Sequence, residues 1–296
     1  MVVAATGFFD GAHLGHKAVL GKVREEAAAR GLKSVIFTLW PHPRTVLQQD
    51  AAKFRLLNSI EEKSELIREA GIDEVQILHF DKEFASQTTE EFLKRYLIDR
   101  YNVSVLILGY DHRLGKDQGQ TQEEIIAIAN SLGIETILVG RFDTGETTVS
   151  STKIREALIS GDVERAAKML GYRYKLDGAV VEGKRLGRKL GFPTANMQLY
   201  EPLKVLPADG VYLVKATCMD TSYKGITNIG TRPTIADGKE RTIETYIMDF
   251  EDDIYGLSLK IEFVKKLRDE VAFSSIDELI EQMHKDKIEA AKSSIL

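Results

Sequence analysis

His13 and His16 stand three residues apart in GFFDGAHLGHKAVL, Gly7 to Leu20, directly after the first apolar run of the chain. Two imidazoles at that spacing can bind a metal ion or donate hydrogen bonds to an anion. A zinc site needs at least three protein ligands. His42, His79, His112 and His284 show no ligand spacing relative to the pair, and no H-E-x-x-H is present. A phosphate fits better. A strand that ends in glycine and passes into a helix directs free N–H groups and a positive partial charge at an anion. Two histidines on one face of the helix start can donate to phosphate oxygens as charge builds during phosphoryl or nucleotidyl transfer. The plain alternative is a glycine-rich turn with incidental histidines. Against it, G-x-F-D-G-x-H-x-G-H fixes so many positions that a chance match is on the order of one in 10⁹ windows. His13 and His16 are therefore catalytic candidates, with Gly7, Phe9, Asp10 and Gly15 as nucleotide-binding candidates.

A second stretch, GKRLGRKLGFPTAN from Gly183 to Asn196, also suits phosphate. Glycines let backbone approach an anion and the basic residues offset its charge. Gly183, Lys184, Gly191, Thr194 and Asn196 are its nucleotide-binding candidates. Thr194 and Asn196 carry neutral oxygens suited to Mg²⁺, which keeps several waters and shares ligands with ATP. A third stretch, SSTKIR at 150–155, supplies hydroxyls, a helix start and two cations, so Ser151, Thr152, Lys153 and Arg155 join the phosphate candidates. Its plain alternative is a serine N-cap with surface charges.

These stretches need elements to hold them. Strands are expected at Val2–Thr6, Ser34–Leu39, Glu74–His79, Val103–Leu108 and Glu135–Val139, the fourth being the most apolar and so expected at the centre. Helices are expected at 16–30, 58–70, 88–101 and 120–132, with capping-box spacing at Ser59/Glu62 and Thr88/Glu91. Two short helices, Ser151–Ile159 and Val163–Leu170, close this half. Such alternation predicts an α/β Rossmann-like domain, a parallel sheet with helices on both faces, whose ligands bind beyond the carboxyl ends of the strands. From Tyr174 to Lys266 the period becomes two, with Asp-Gly turn signals at 177–178, 209–210 and 237–238. That predicts an all-β barrel or sandwich followed by an amphipathic helix over 275–292. The expected domains are 1–171 and 172–296.

The chain has 296 residues, 43% hydrophobic and 29% charged, with a net charge of −5, which disfavours a nucleic-acid binder built on a broad basic face. Its one cysteine, Cys218, excludes an intrachain disulfide and reads as a core residue on a strand. A reducing cytoplasm is the expected location. No run long enough to span a membrane and no secretory leader is recognisable.

Family resemblance sharpens these readings. GFFDGAHLGH and SSTKIR resemble the two signatures of the HxGH nucleotidyltransferases, a Rossmann-like group that splits nucleoside triphosphates between the α- and β-phosphates. GFPTAN resembles the riboflavin kinase signature. NIGTRPT at 228–234, Glu244 within IETYIMDF, and Arg268 followed by Phe273 resemble further stretches of that domain. Pro41-His42-Pro43 resembles a loop near flavin and nucleotide. In this order they resemble the bacterial bifunctional riboflavin kinase/FMN adenylyltransferases over essentially the whole chain.

The resemblance implies a two-step reaction: riboflavin and ATP give FMN, then FMN and a second ATP give FAD and pyrophosphate. It implies that Glu244 is the kinase's catalytic base. It also implies that Pro41, His42, Pro43, Asp111 and Arg268 lie on the flavin side. Mg²⁺ is the implied cofactor, held by Thr194 and Asn196. The implied partners are the small-molecule substrates, without nucleic acid, membrane or obligate protein partner. One stretch departs: Gly109–Gly115 reads GYDHRLG, with His112 and Leu114 where the family carries aromatics. That puts flavin affinity or adenylyl-transfer rate in question. A kinase with a decayed first domain, a flavin-sensing or RNA-binding regulator, and a nucleotidyltransferase for another acceptor are the rival readings.

Overall fold

The computed structural model describes residues 1–47, 54–110, 112–116, 119–142, 148–183, 187, 190–233 and 239–294. The chain divides into two compact units, Met1–Ser151 and Thr152–Leu296.

In the first unit, Val2–Gly7 (β1) lies between Lys33–Trp40 (β2) and Val103–Gly109 (β4), with Glu74–His79 (β3) and Glu135–Val139 (β5) at the edges. All the pairings are parallel, in the order β3-β2-β1-β4-β5. The central strand is therefore β1 and not the more apolar β4. Hydropathy reports how fully a strand is covered, and β4 is covered as fully as β1 while lying one place from the centre. Leu14–Arg30 (α1) and Ile60–Glu69 (α3) bury Leu20, Val23 and Ile67 against Val3, Ala5 and Ile107 on one face. Thr89–Phe92 (α5), continuing as a wide turn through Leu93–Ile98, and Gln122–Ser131 (α6) cover the other face through Phe92, Leu97 and Ile125. Two short helices, Pro43–Leu47 (α2) and Lys82–Ala85 (α4), complete the unit. The capping boxes form at Ser59/Glu62 and Thr88/Glu91, and a third at Thr121/Glu124 starts α6.

The order reverses at β1: β2 and β3 build outward on one side, then β4 and β5 on the other. The crevice beyond the carboxyl ends of β1 and β4 is thus a topological switch point, where open α/β sheets take ligands.

Ser151–Ile159 (α7) and Val163–Leu170 (α8) precede the barrel, and all of α7 beyond Ser151 falls within the second unit. Lys175–Val181 (β6), Thr194–Leu199 (β7), Gly210–Cys218 (β8), Thr221–Pro233 (β9), Lys239–Ile247 (β10) and Ser258–Arg268 (β11) close into a barrel. Every pair is antiparallel, in the order β10-β7-β6-β11-β8-β9. Ile276–Ala291 (α9) packs on it through Ala290, beside Leu213 and Met248.

One turn signal misleads. Asp177-Gly178 lies inside β6, not in a turn. A Cβ at Gly178 would sit 2.3 Å from the carbonyl oxygen of Gln198, so glycine serves close strand packing there. Gly210 does open a strand, while 237–238 lies outside the described residues. Cys218 is buried, at the end of β8.

Candidate functional site

The loop between β1 and α1 is held in unusual backbone. Phe9 (φ 47°) and Ala12 (φ 36°) occupy the left-handed region beside Gly11 (φ 87°). Non-glycine residues persist there only where surrounding structure over-determines them, most often at functional sites. Asp10 supplies that constraint. Its buried carboxylate accepts from the backbone N–H groups of Leu57 at 3.0 Å and Asn58 at 3.3 Å. Its carbonyl accepts from Ser151 Oγ at 2.8 Å, which joins the start of α7 to the loop. The expected Asp10 and Ser151 thus act on the loop's shape. Gly7 ends β1 beside the Phe9 ring.

His13 caps α1, its Nδ1 accepting from the backbone N–H of His16 at 3.3 Å. In the neutral ring the proton therefore lies on Nε2. The His13 and His16 rings stack, with centroids 3.7 Å apart and planes 12° apart, and Gly15 lies between them in the first turn. The two histidines meet face to face from a cap and a helix position, not as two residues of one helical face. Burial, then His13, then Lys63 push the His16 pKa well below 6.5, so His16 is neutral at pH 7. Its Nδ1 is buried without a hydrogen-bond partner among the described residues. A neutral His16 at a helix N-terminus can donate to phosphate without first binding a proton.

The Pro41–Pro43 loop follows β2. Pro43 opens α2, where a missing N–H costs nothing. His42 is buried, accepts from Arg44 N through Nδ1 at 3.2 Å, and packs against the ring of Phe8 at 5.3 Å. The structure therefore brings the Pro-His-Pro loop against the glycine-rich loop. His112 Nε2 lies 2.8 Å from Thr6 Oγ1 near the end of β1. Leu114 packs into the core beside Phe92 and Ile125. Asp111 lies outside the described residues.

One residue escaped sequence reasoning. Lys63 is 4% exposed, with Nζ donating to Phe8 O at 3.0 Å and Leu39 O at 3.5 Å. Burial lowers its pKa to about 8, against the opposing pull of Asp10. The signal was its phase: Lys63 precedes Leu66 and Ile67 by three and four residues, on the buried face of α3.

In the second unit, Lys153 and Arg155 are half-buried in the first turns of α7 and Thr152 is exposed. On the barrel, Glu244 of β10 stands directly opposite Asn196 of β7 and Asn228 of β9. Directly opposed residues share a sheet face, so the carboxylate is flanked by two carboxamides on the outer wall. Thr194 Oγ1 donates to Glu244 Oε2 at 3.4 Å. Asn228 went unassigned in the sequence, although it opens NIGTRPT. Gly183 touches this group too: a Cβ there would fall 2.2 Å from Asn196 Nδ2, so any larger residue would displace the Asn196 carboxamide. Gly191 occupies an exposed turn and Lys184 lies outside the described residues. A cavity of about 270 Å³ opens beside Thr194, lined by Val180, Ile247, Phe250, Asp252, Ile254 and Tyr255. Glu251 and Asp253 also line it, so apolar side chains and carboxylates share its wall.

Arg268 is engaged by Asp286 of α9 through Nε at 3.0 Å and Nη2 at 2.8 Å, and lies 5.8 Å over the Phe273 ring. Thr194, Asn196 and Glu244 form a hard oxygen set. Among the described residues no three His, Cys, Asp or Glu side chains cluster to hold a metal by themselves. That donor set fits Mg²⁺ carried largely by phosphates and water.

Residues 1–153 match the FAD synthetase family model and residues 170–294 the riboflavin kinase family model. The bifunctional riboflavin kinase/FMN adenylyltransferase of Bacillus subtilis is 36% identical over 98% of this chain and 92% of its own. That of Escherichia coli is 34% identical over 97% and 91%. A crystal structure described as a macrolide-efflux protein from Streptococcus pneumoniae has the same fold, with a TM-score of 0.91 and 31% identity over 99% of this chain and 95% of that one. Among the described residues no helix here is long and apolar enough to cross a membrane.

Proposed function

The chain belongs to the family of bifunctional riboflavin kinase/FMN adenylyltransferases, and from that premise we propose which of its residues perform the two reactions. The enzyme phosphorylates riboflavin with ATP to give FMN, then adenylylates FMN with a second ATP to give FAD and pyrophosphate.

For the kinase step, Glu244 accepts the proton of the riboflavin 5′-hydroxyl as that oxygen attacks the γ-phosphate. The observation that carries this reading is the Asn196–Glu244–Asn228 row with Thr194 bonded to the carboxylate. Thr194 and Asn196 would hold Mg²⁺ together with the nucleotide, where the ion would offset phosphate charge. Gly183 and Gly191 let the backbone approach the phosphates, and Lys184 offsets their charge. Arg268, oriented by Asp286, faces the flavin.

For adenylyl transfer, the FMN phosphate attacks the α-phosphate of ATP. The attacking group is already an anion, so the step calls for positioning and charge stabilisation, not a general base. His13 and His16 donate to the phosphates from the start of α1, their stacked rings being the observation that supports the role. Gly7, Phe9, Asp10 and Gly15 shape the loop. Ser151, Thr152, Lys153 and Arg155 contribute hydroxyls and charge. Pro41, His42, Pro43 and Asp111 border the flavin.

We place the functional boundary at 171/172. The reading needs small-molecule substrates alone, without nucleic acid or an obligate protein partner, and a cytoplasmic location where ATP and flavin are supplied. Incubation with riboflavin, ATP and Mg²⁺, followed by chromatographic separation of the flavins, tests it. FMN and FAD must both form. FMN alone would remove the first unit's proposed residues from catalysis.

A further inference from the structure

Lys63 is a buried cation that neither reaction, as derived above, uses. It lies on α3, outside every signature stretch of the chain. Its ammonium sits where two parallel strands end, donating to Phe8 O just beyond β1 at 3.0 Å and to Leu39 O of β2 at 3.5 Å. Phe8 opens the loop that carries His13 and His16. Leu39 is two residues before Pro41 and three before His42. One side chain therefore ties the two loops together. The Phe8 carbonyl also accepts from Thr38 Oγ1 of β2 at 3.3 Å, so both bonds to it come from the β2 side of the crevice. Trp40 covers the ammonium, its ring 6.0 Å from Nζ.

A buried ammonium is costly, and a merely structural link between two carbonyls needs no charge. Here the charge is retained beside Asp10, whose carboxylate favours it, and beside His16, which it helps keep neutral. The same cation thus holds the loops and biases the protonation of the histidine between them.

We propose that Lys63 is a positioning residue for adenylyl transfer, setting the loop that binds the ATP phosphates against the loop that borders the acceptor. This rests on the assignment of those two loops above. In-line attack is sensitive to placement: a shift of about 1 Å between reacting groups can cost on the order of a hundredfold in rate. Each loop retains its own constraints, Asp10 on one and His42–Thr45 on the other. Loss of Lys63 should therefore lower kcat and spare the separate binding of each substrate.

The test is Lys63→Met in the full chain, with Lys63→Gln as a second variant should methionine impair folding. FAD formation from FMN and ATP is measured alongside FMN formation from riboflavin, with KM for each substrate and thermal unfolding. The expected result is a tenfold or greater fall in kcat for FAD formation. KM values for ATP and FMN should stay within about threefold, FMN formation within twofold, and Tm should not fall. A folded variant that keeps its FAD-forming kcat overturns the proposal. So does a loss that comes with a lowered Tm in both variants, because it marks a structural role. A wild-type chain that makes no FAD from FMN sinks the assignment of the first unit instead, and this inference with it.

Discussion

Thr194 Oγ1 donates to Glu244 Oε2 at 3.4 Å across the β7–β10 pair. A threonine suited to a metal-nucleotide complex is thereby fixed to the carboxylate suited to receive a proton. Replacing Glu244 by Ala or Gln leaves the oxygen donors of Thr194 and Asn196 and removes the base. FMN formation should fall at least a hundredfold in either variant, while FMN-to-FAD conversion continues. Loss of both activities in a folded variant would contradict two independent sites.

The stacked His13 and His16 rings predict a separate phenotype. His16→Ala should lower FAD formation by tenfold or more and leave the kinase step intact. His16 is neutral because burial and two neighbours depress its pKa, so wild-type adenylyl transfer should show no His16-dependent acid limb near pH 6.5. An inflection there that disappears in His16→Ala would contradict a neutral His16.

Lys63 predicts a pH dependence of stability. Its pKa is about 8 in the fold, against 10.5 ordinarily. Between those values the unfolded chain binds more protons, so stability rises with pH, by on the order of 3 kcal/mol across the window. The penalty is fully present below about pH 8 and relieved above about pH 10.5. Urea midpoints of wild type and Lys63→Met, compared from pH 7 to 10, should converge as pH rises. A constant difference would show that the ammonium carries no burial cost.

Gly178→Ala probes the barrel alone. The added methyl would meet Gln198 O at 2.3 Å and Met197 Cγ at 2.6 Å, both across the β6–β7 pair. We expect a destabilisation of about 1–3 kcal/mol by overpacking. Chemical denaturation measures it; an unchanged midpoint would mean that the strands separate freely there.

The two-fold division of chemistry was legible along the chain because phosphate loops are local. GFFDGAHLGH and GFPTAN each carry their glycines, donors and flanking strand within a few residues, and SSTKIR its helix start. Periodicity gave the parallel sheet and the barrel for the same reason, since each strand's exposure pattern is written into neighbouring residues. Local reading failed where a partner lay far away. Asp177-Gly178 read as a turn because the Gln198 carbonyl that demands glycine is remote in sequence. Arg268 offered no sign that Asp286 would orient it.

By itself, then, the sequence determined the two kinds of domain and most of their strands and helices, and it named the candidate residues, because each depends on short-range spacing. Only the tertiary structure decided three further things. It made β1 the central strand, stacked the His13 ring on that of His16, and drew Lys63 from another helix to the ends of β1 and β2. Those outcomes depend on burial and on long-range contacts, and burial is what shifts the pKa of Lys63 and His16 away from the ordinary values.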